Sequence, residues 1–307
     1  MNAKQKQILE YRSLPKGYYH FCTDGKFGGR LFHNNQEYAY GMCTIALLTL
    51  KYDVQIISFE LMPNHIHIII YGSGAECLDC FYYIVERVNN KLKADGMPTL
   101  PDNYWFKLIP VKDKLSLRKL VIYLARNKYE TGSCTPQGHL WGTGYLVYNQ
   151  FTKYIRGKKV KDMSVRAVRK ITGSHITLPP EWEIHPELGI LPSSFVRTDI
   201  VYELFPSVKD YVTSLVKDYE SSASIAESVG EEIEWGKPEI RDIVSQVMLV
   251  EYPGKTISFL SKEQKGRLAV QLVSKYHIKT EALADVLGLP DYVIKQFLNS
   301  KDYGIRK

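Results

Sequence analysis

The sequence predicts an α+β fold, an antiparallel sheet flanked by helices, followed by a mostly helical C-terminal region. Two observations lead there. Up to about residue 132, short β-branched or aromatic runs alternate with segments that carry apolar residues at helical spacing. Two of the β-branched runs are separated only by Leu61-Met62-Pro63-Asn64, where Pro63 excludes a central-strand position and Asn64 favours a turn, so they form a hairpin.

In chain order, residues 18–22 (YYHFC) make a first strand, closed by the turn-prone Thr23-Asp24-Gly25-Lys26. Residues 37–51 read as a helix, 54–60 (VQIISFE) and 65–71 (HIHIIIY) as the hairpin strands, and 75–93 as a second helix. Residues 104–111 resemble a strand, and 113–130 a third helix entered through Asp113 as a cap. The pattern divides the chain into a domain at 1–135, a basic linker and proline-rich connector at 136–192, and a helical region at 193–307. Within the last, helices at 262–276, 280–287 and 291–298 with a Gly288-Leu289-Pro290 turn resemble a helix-turn-helix spanning 261–299. Such a module binds duplex DNA or another protein; Tyr292, Lys295 and Gln296 are its exposed candidates.

Composition narrows the classes of function. With 45% hydrophobic and 24% charged residues, the 307-residue chain has the make-up of a globular protein. No apolar run approaches the roughly 18 residues of a membrane span, and the N-terminal MNAKQKQILEYRSLPKG lacks a signal peptide's apolar core, so a cytoplasmic protein without membrane contact is expected. Five scattered cysteines fit a reducing compartment, and Cys77 and Cys80, a lone CxxC, are expected to be structural thiols on a helix. The net charge of +7 is concentrated: Lys153, Arg156, Lys158, Lys159, Lys161, Arg166, Arg169 and Lys170 face a single acidic residue, Asp162, and the rest of the chain balances. That stretch serves either as a phosphate-tracking DNA contact or as a solvated linker face.

The chemistry centres on residues 60–70 (ELMPNHIHIII). Side chains alternate along a strand, so His65 and His67 share a face about 7 Å apart and can chelate one divalent ion, while two partly exposed strand histidines would look the same in sequence. The other six histidines, His20 among them, have no ligand-like spacing. Trp105 and Phe106 suit core packing better than stacking on a base. Gly142-Thr143-Gly144 reads as loop.

The string Met62-Pro63-Asn64-His65-Ile66-His67 before a β-branched run resembles the HUH motif of single-tyrosine transposases, above all the REP-associated tyrosine transposases. The tyrosine-bearing first strand, the glycine turn and Arg30-Leu31-Phe32 ahead of a helix are similar to that family too. So is Tyr123-Leu124-Ala125-Arg126-Asn127, although Lys128 stands where the family usually has proline, which lets the helix run on to Glu130. The resemblance covers roughly residues 15–132.

It implies a ferredoxin-like HUH fold and an enzyme that cleaves and rejoins single-stranded DNA through a 5′-phosphotyrosine. Tyr123 would be the nucleophile, with His65, His67 and the amide oxygen of Asn127 as ligands of Mn²⁺ or Mg²⁺. Tyr129 is the rival nucleophile, with poor ligands one turn to either side. Expected partners are single-stranded DNA with hairpin or repeat structure, duplex DNA at the C-terminal module, and a second copy of the chain in a homodimer. Two alternatives remain: a domesticated DNA-binding regulator that lost the chemistry, and a replication-initiator or relaxase-type nickase with the same two histidines.

Overall fold

The computed structural model describes residues 2–26, 29–127, 140–144 and 155–300. They divide into two compact units, Met1–Leu215 and Val216–Lys307. The first contains α1 (Ala3–Ser13), β1 (Gly17–Thr23), α2 (Asn35–Lys51), β2 (Gln55–Leu61), β3 (Ile66–Gly72), α3 (Gly74–Ala94), β4 (Phe106–Pro110) and α4 (Lys114–Arg126). The four strands form one antiparallel sheet in the order β2-β3-β1-β4, flanked by helices as the alternation of patterns predicts.

Local chemistry sets the helix starts. Ser73 and Glu76 form a reciprocal capping box at α3, and the Asp113 carboxylate accepts the Ser116 amide at 2.7 Å to start α4. Helix α1 is the one element of this region that the sequence pattern does not reveal; its residues are mainly polar, and Tyr11 alone is buried.

Strand alternation gives the sheet two different faces. Phe21, Ile68, Ile70 and Phe106 point into an apolar core, where Phe81 of α3 stacks on Phe106 with ring centroids 4.4 Å apart. Phe106 is therefore core, and Trp105 packs edge-on to Phe81 while its indole donates to Gln7. Cys77 and Cys80 are free and buried in the same core, and burial pushes the Cys77 thiol up to about 12, which removes any thiolate role. The opposite face carries a row that crosses all four strands in register, Glu60–His67–Cys22–Lys107, and α4 packs over its β2 and β3 part.

Residues 140–144, read from sequence as loop, instead extend this sheet at β2. Leu61 donates to the Trp141 carbonyl at 2.9 Å and Thr143 donates to the Phe59 carbonyl at 3.0 Å. Gly142 is required there, because a Cβ would lie 1.9 Å from Glu60 Oε2. Val196 also bridges to Ile56, and Arg197 donates to its carbonyl at 2.8 Å. Pairing with β2 thus draws residues from both sides of the sequence divisions at 135/136 and 192/193 into one unit.

The described part of the basic segment is folded rather than an extended linker. Lys158–Lys159 (β5), Glu183–His185 (β6) and Gly189–Ile190 (β7) make a small antiparallel sheet, and Val165–Thr172 form α5. Ser164 caps the start of α5, and the buried Arg87 of α3 holds its end by donating to the Thr172 and Gly173 carbonyls at 2.6 and 3.1 Å. Then come α6 (Thr198–Leu204) and α7 (Val208–Lys217).

The second unit is helical: α8 (Tyr219–Val229), α9 (Lys237–Glu251), α10 (Lys262–Tyr276), α11 (Thr280–Leu287) and α12 (Asp291–Asn299). Gly288 adopts φ +61°, the left-handed conformation that lets α11 stop and α12 start within three residues. Thr280 and Asp291 are the first helical residues of α11 and α12 rather than their caps; Lys279 and Pro290 occupy the cap positions without a side-chain bond. Gly266 on α10 faces Phe297 on α12, where a Cβ would lie 2.5 Å from the ring. Among the described residues no helix is long and apolar enough to cross a membrane.

Candidate metal and nucleic-acid site

Proline and backbone hydrogen bonds shape the turn that carries the first histidine. Met62 donates to the His65 carbonyl at 2.9 Å, and the Pro63 carbonyl accepts from Leu31 and Phe32 at 2.7 and 3.1 Å. The Thr23 hydroxyl accepts the Ile66 amide at 2.9 Å, which fixes the start of β3 against the end of β1. His65 therefore sits in the turn immediately before β3 and His67 within it, both on the α4 side of the sheet.

The two imidazoles converge, with His65 Nε2 and His67 Nε2 2.9 Å apart and the rings nearly perpendicular at 87°. Asn64 explains the orientation of the first. Its Nδ2 donates to the Gly25 carbonyl at 2.9 Å, which turns its Oδ1 toward His65 Nδ1 at 2.8 Å. An amide oxygen only accepts, so the His65 proton resides on Nδ1 and its Nε2 lone pair faces His67. The sequence marked Asn64 only as a turn residue; its side-chain role depends on Gly25, 39 positions away.

Tyr123 projects from α4 onto the same place. Its ring meets His67 edge-on at 5.6 Å between centroids, and His20 of β1 at 6.0 Å. Tyr123 is 1% exposed and His67 0%. Asn127 follows one turn later as the C-cap of α4, still in helical conformation, and donates its backbone N–H to the Tyr123 carbonyl at 3.2 Å. Residues four apart share a helix face. The Asn127 side chain is buried, and its Nδ2 has no hydrogen-bond partner among the described residues. Lys128, Tyr129 and Glu130 lie outside the described residues.

His20 is a neighbour of His67 that spacing alone did not reveal. Its Nε2 lies 3.0 Å from His67 Nδ1, and the ring centroids are 5.3 Å apart. The signal is the pairing of β1 with β3: Cys22 lies opposite His67, which leaves His20 diagonal to it on the same face.

A divalent ion fits the donor set. Two ligands about 2.1 Å from one ion and at right angles to each other are about 3.0 Å apart, close to the observed Nε2 separation.

The basic residues are spread over several elements. Lys153 lies outside the described residues. Lys159 and Lys161 both bind Glu181, at 2.6 and 2.7 Å, and hold its carboxyl down at about 2, so their charge is largely compensated within the fold. Arg156 and Lys158 are exposed, and Arg166, Arg169 and Lys170 form an exposed patch on α5. Among the described residues none of Lys158, Arg166, Arg169 and Lys170 is in an ion pair.

No family model matches the chain, and no curated protein matches it. Among solved structures, the chain is similar to that of a REP-associated tyrosine transposase bound to a REP hairpin, at 17% identity and a TM-score of 0.37, over 47% of this chain and 86% of that one.

Proposed function

We propose that the first unit is a metal-dependent, single-tyrosine enzyme of the HUH type that cleaves and rejoins single-stranded DNA. The observation that supports this most is the convergence of His65 and His67 Nε2 at 2.9 Å beneath the ring of Tyr123. His65, His67 and the Asn127 amide oxygen are the residues that would hold a divalent ion. When bound, the ion supplies Lewis-acid polarisation of the scissile phosphate, a diester whose own charge repels nucleophiles.

The chain's residues supply the rest. Tyr123 gives up its phenolic proton, its Oη bonds to phosphorus, and the bond from phosphorus to the 3′-oxygen breaks. That oxygen takes a proton and leaves as a free 3′-hydroxyl, with the 5′-phosphate on Tyr123. Attack by another 3′-hydroxyl reverses the exchange, so strands are joined with no nucleotide cofactor. The test is incubation of the protein with a pool of single-stranded oligonucleotides and Mn²⁺ or Mg²⁺, followed by a denaturing gel. A protein–DNA adduct that survives denaturation supports the reading, and its absence for every hairpin and linear oligonucleotide rejects it.

One observation favours a second reading. Tyr123 is 1% exposed, so a phosphodiester reaches its hydroxyl only after a covering segment moves. A DNA-binding regulator that retains the fold without the chemistry would keep this tyrosine purely as packing, and would shift the same oligonucleotides on a native gel without forming an adduct on the denaturing one.

The surface of α5 is the proposed phosphate contact, since Arg166, Arg169 and Lys170 are exposed and, among the described residues, in no ion pair. Replacing all three with Gln should weaken every DNA sequence alike. It should also reduce the slope of log affinity against log salt by up to about 0.9 per lost duplex contact or 0.7 per single-strand contact. An unchanged slope would make α5 a solvated face.

For the second unit we propose duplex binding through α12. Tyr292 and Gln296 are exposed there, whereas Lys295 is held by Glu281 and Asp291 at 2.9 and 2.7 Å. Tyr292→Ala with Gln296→Ala should therefore lower duplex affinity severalfold while Lys295→Ala changes it little; equal effects on single-stranded and duplex DNA would count against this assignment.

A further inference from the structure

We infer that His20 is a positioning residue: it accepts the Nδ1 proton of His67 and thereby fixes the ring whose Nε2 lone pair faces the metal position. This rests on the proposed role of His65 and His67 as ligands, and it concerns a residue outside the HxH motif. Asn64 already places the His65 lone pair on Nε2, pointing at His67. For both imidazoles to present lone pairs to one ion, His67 must carry its single proton on Nδ1. That atom faces His20 Nε2 at 3.0 Å, a distance at which N–H donates to a ring nitrogen.

His20 is 3% exposed and His67 0%, so water does not substitute as acceptor, and the two rings, 24° from parallel with centroids 5.3 Å apart, meet edge to edge through these nitrogens. The protein thus has matched second partners for its two ligands, an amide oxygen for His65 and a histidine nitrogen for His67. Such partners set tautomer and ring orientation, and their loss commonly lowers metal affinity 10- to 100-fold, an order-of-magnitude expectation here.

His20, Cys22 and His67 also lie close enough to be read as a separate ligand set. Proton accounting argues against it. An ion on His67 Nδ1 together with one on Nε2 would require the ring to lose its last proton, and all three residues are sealed from solvent.

The experiment compares wild type with His20→Leu, which keeps bulk but offers no acceptor, and His20→Gln, whose side-chain carbonyl can accept the proton. The readouts are Mn²⁺ affinity by calorimetry and electron paramagnetic resonance, and the His67 Nδ1 proton by ¹⁵N NMR with Zn²⁺ as a diamagnetic stand-in, since without an ion the 2.9 Å Nε2 contact itself calls for a proton between the two rings. The Leu variant should bind Mn²⁺ about 10- to 100-fold more weakly and lose the hydrogen-bonded Nδ1–H signal of His67, while the Gln variant recovers most of both. Thermal melts confirm folding of each.

Wild-type affinity and tautomer in a folded Leu variant would overturn the inference. So would the lack of a hydrogen-bonded Nδ1–H at His67 in zinc-loaded wild type, or a second bound ion lost on Cys22→Ser. If wild type binds neither ion, the ligand reading of His65 and His67 fails and the inference falls with it, an outcome distinct from a wild type that binds metal and a Leu variant that binds it equally well.

Discussion

Tyr123→Phe is expected to abolish the covalent protein–DNA adduct while single-stranded DNA and Mn²⁺ binding stay close to wild type. The change removes one oxygen and keeps the ring. The edge-on contacts with His67 and His20, at 5.6 and 6.0 Å between centroids, are contacts of the ring and should persist. The loss of a buried hydroxyl and its hydrogen bonding should cost about 0.5–1.5 kcal/mol, a shift of a few degrees in the thermal midpoint. Adduct formation has no substitute for the missing oxygen, so its yield should fall below detection, whereas Tyr129→Phe should form adduct at a similar rate. Mass spectrometry of the trapped wild-type complex should find a 5′-phosphate on the peptide that contains Tyr123. An adduct mapped to Tyr129, or one that persists in Tyr123→Phe, would remove Tyr123 as nucleophile.

The expected geometry of that reaction depends on where α4 is held. Arg118 donates to both oxygens of Asp210, at 2.8 and 2.9 Å, and to Ser214 at 2.7 Å, while its guanidinium lies 4.3 Å from the Phe205 ring centroid. The buried Arg126, next to Asn127, donates to the Leu215 carbonyl. Both ends of α4 are thereby tied to the segment around α6 and α7 of the same chain, and Tyr123 meets the histidines of its own sheet.

Much of this frame was legible in the sequence, for identifiable reasons. β-branched alternation located β2 and β3, Pro63 located the turn between them, and Asp113 located the start of α4. These are local signals, each written within a few residues. What escaped was non-local. His20 has no telling neighbour in sequence and acquires a partner only because β1 pairs with β3 in a register that places Cys22 opposite His67. Residues 140–144 carry a glycine pattern that reads as loop, yet Gly142 is there because an added sheet partner must pass Glu60 without a Cβ. The basic stretch showed its charge but not its compensation, since Glu181, which holds Lys159 and Lys161, lies 22 and 20 positions away.

Removal of the histidine pair is the second change with a large expected effect, and its two halves should behave differently. His67 is fully buried between His65, His20 and Tyr123, so His67→Ala leaves a cavity and removes the ring nitrogen 3.0 Å from His20 Nε2; about 2–4 kcal/mol of stability should be lost. His65 is only partly buried in its turn, and His65→Ala should cost much less stability. The chemical consequence should nonetheless be shared. A Lewis acid at the scissile phosphate contributes several kcal/mol to the transition state, and each 1.36 kcal/mol is tenfold in rate. Either single variant should therefore cleave at least about a thousandfold more slowly, and the double variant should not cleave detectably. His65→Ala separates the two effects, because it should lose Mn²⁺ affinity and cleavage while its melting temperature and its affinity for single-stranded DNA stay near wild type. Cleavage that survives in the double variant, or that proceeds at full rate in excess chelator, would show that the histidines hold no catalytic ion, whatever becomes of Tyr123.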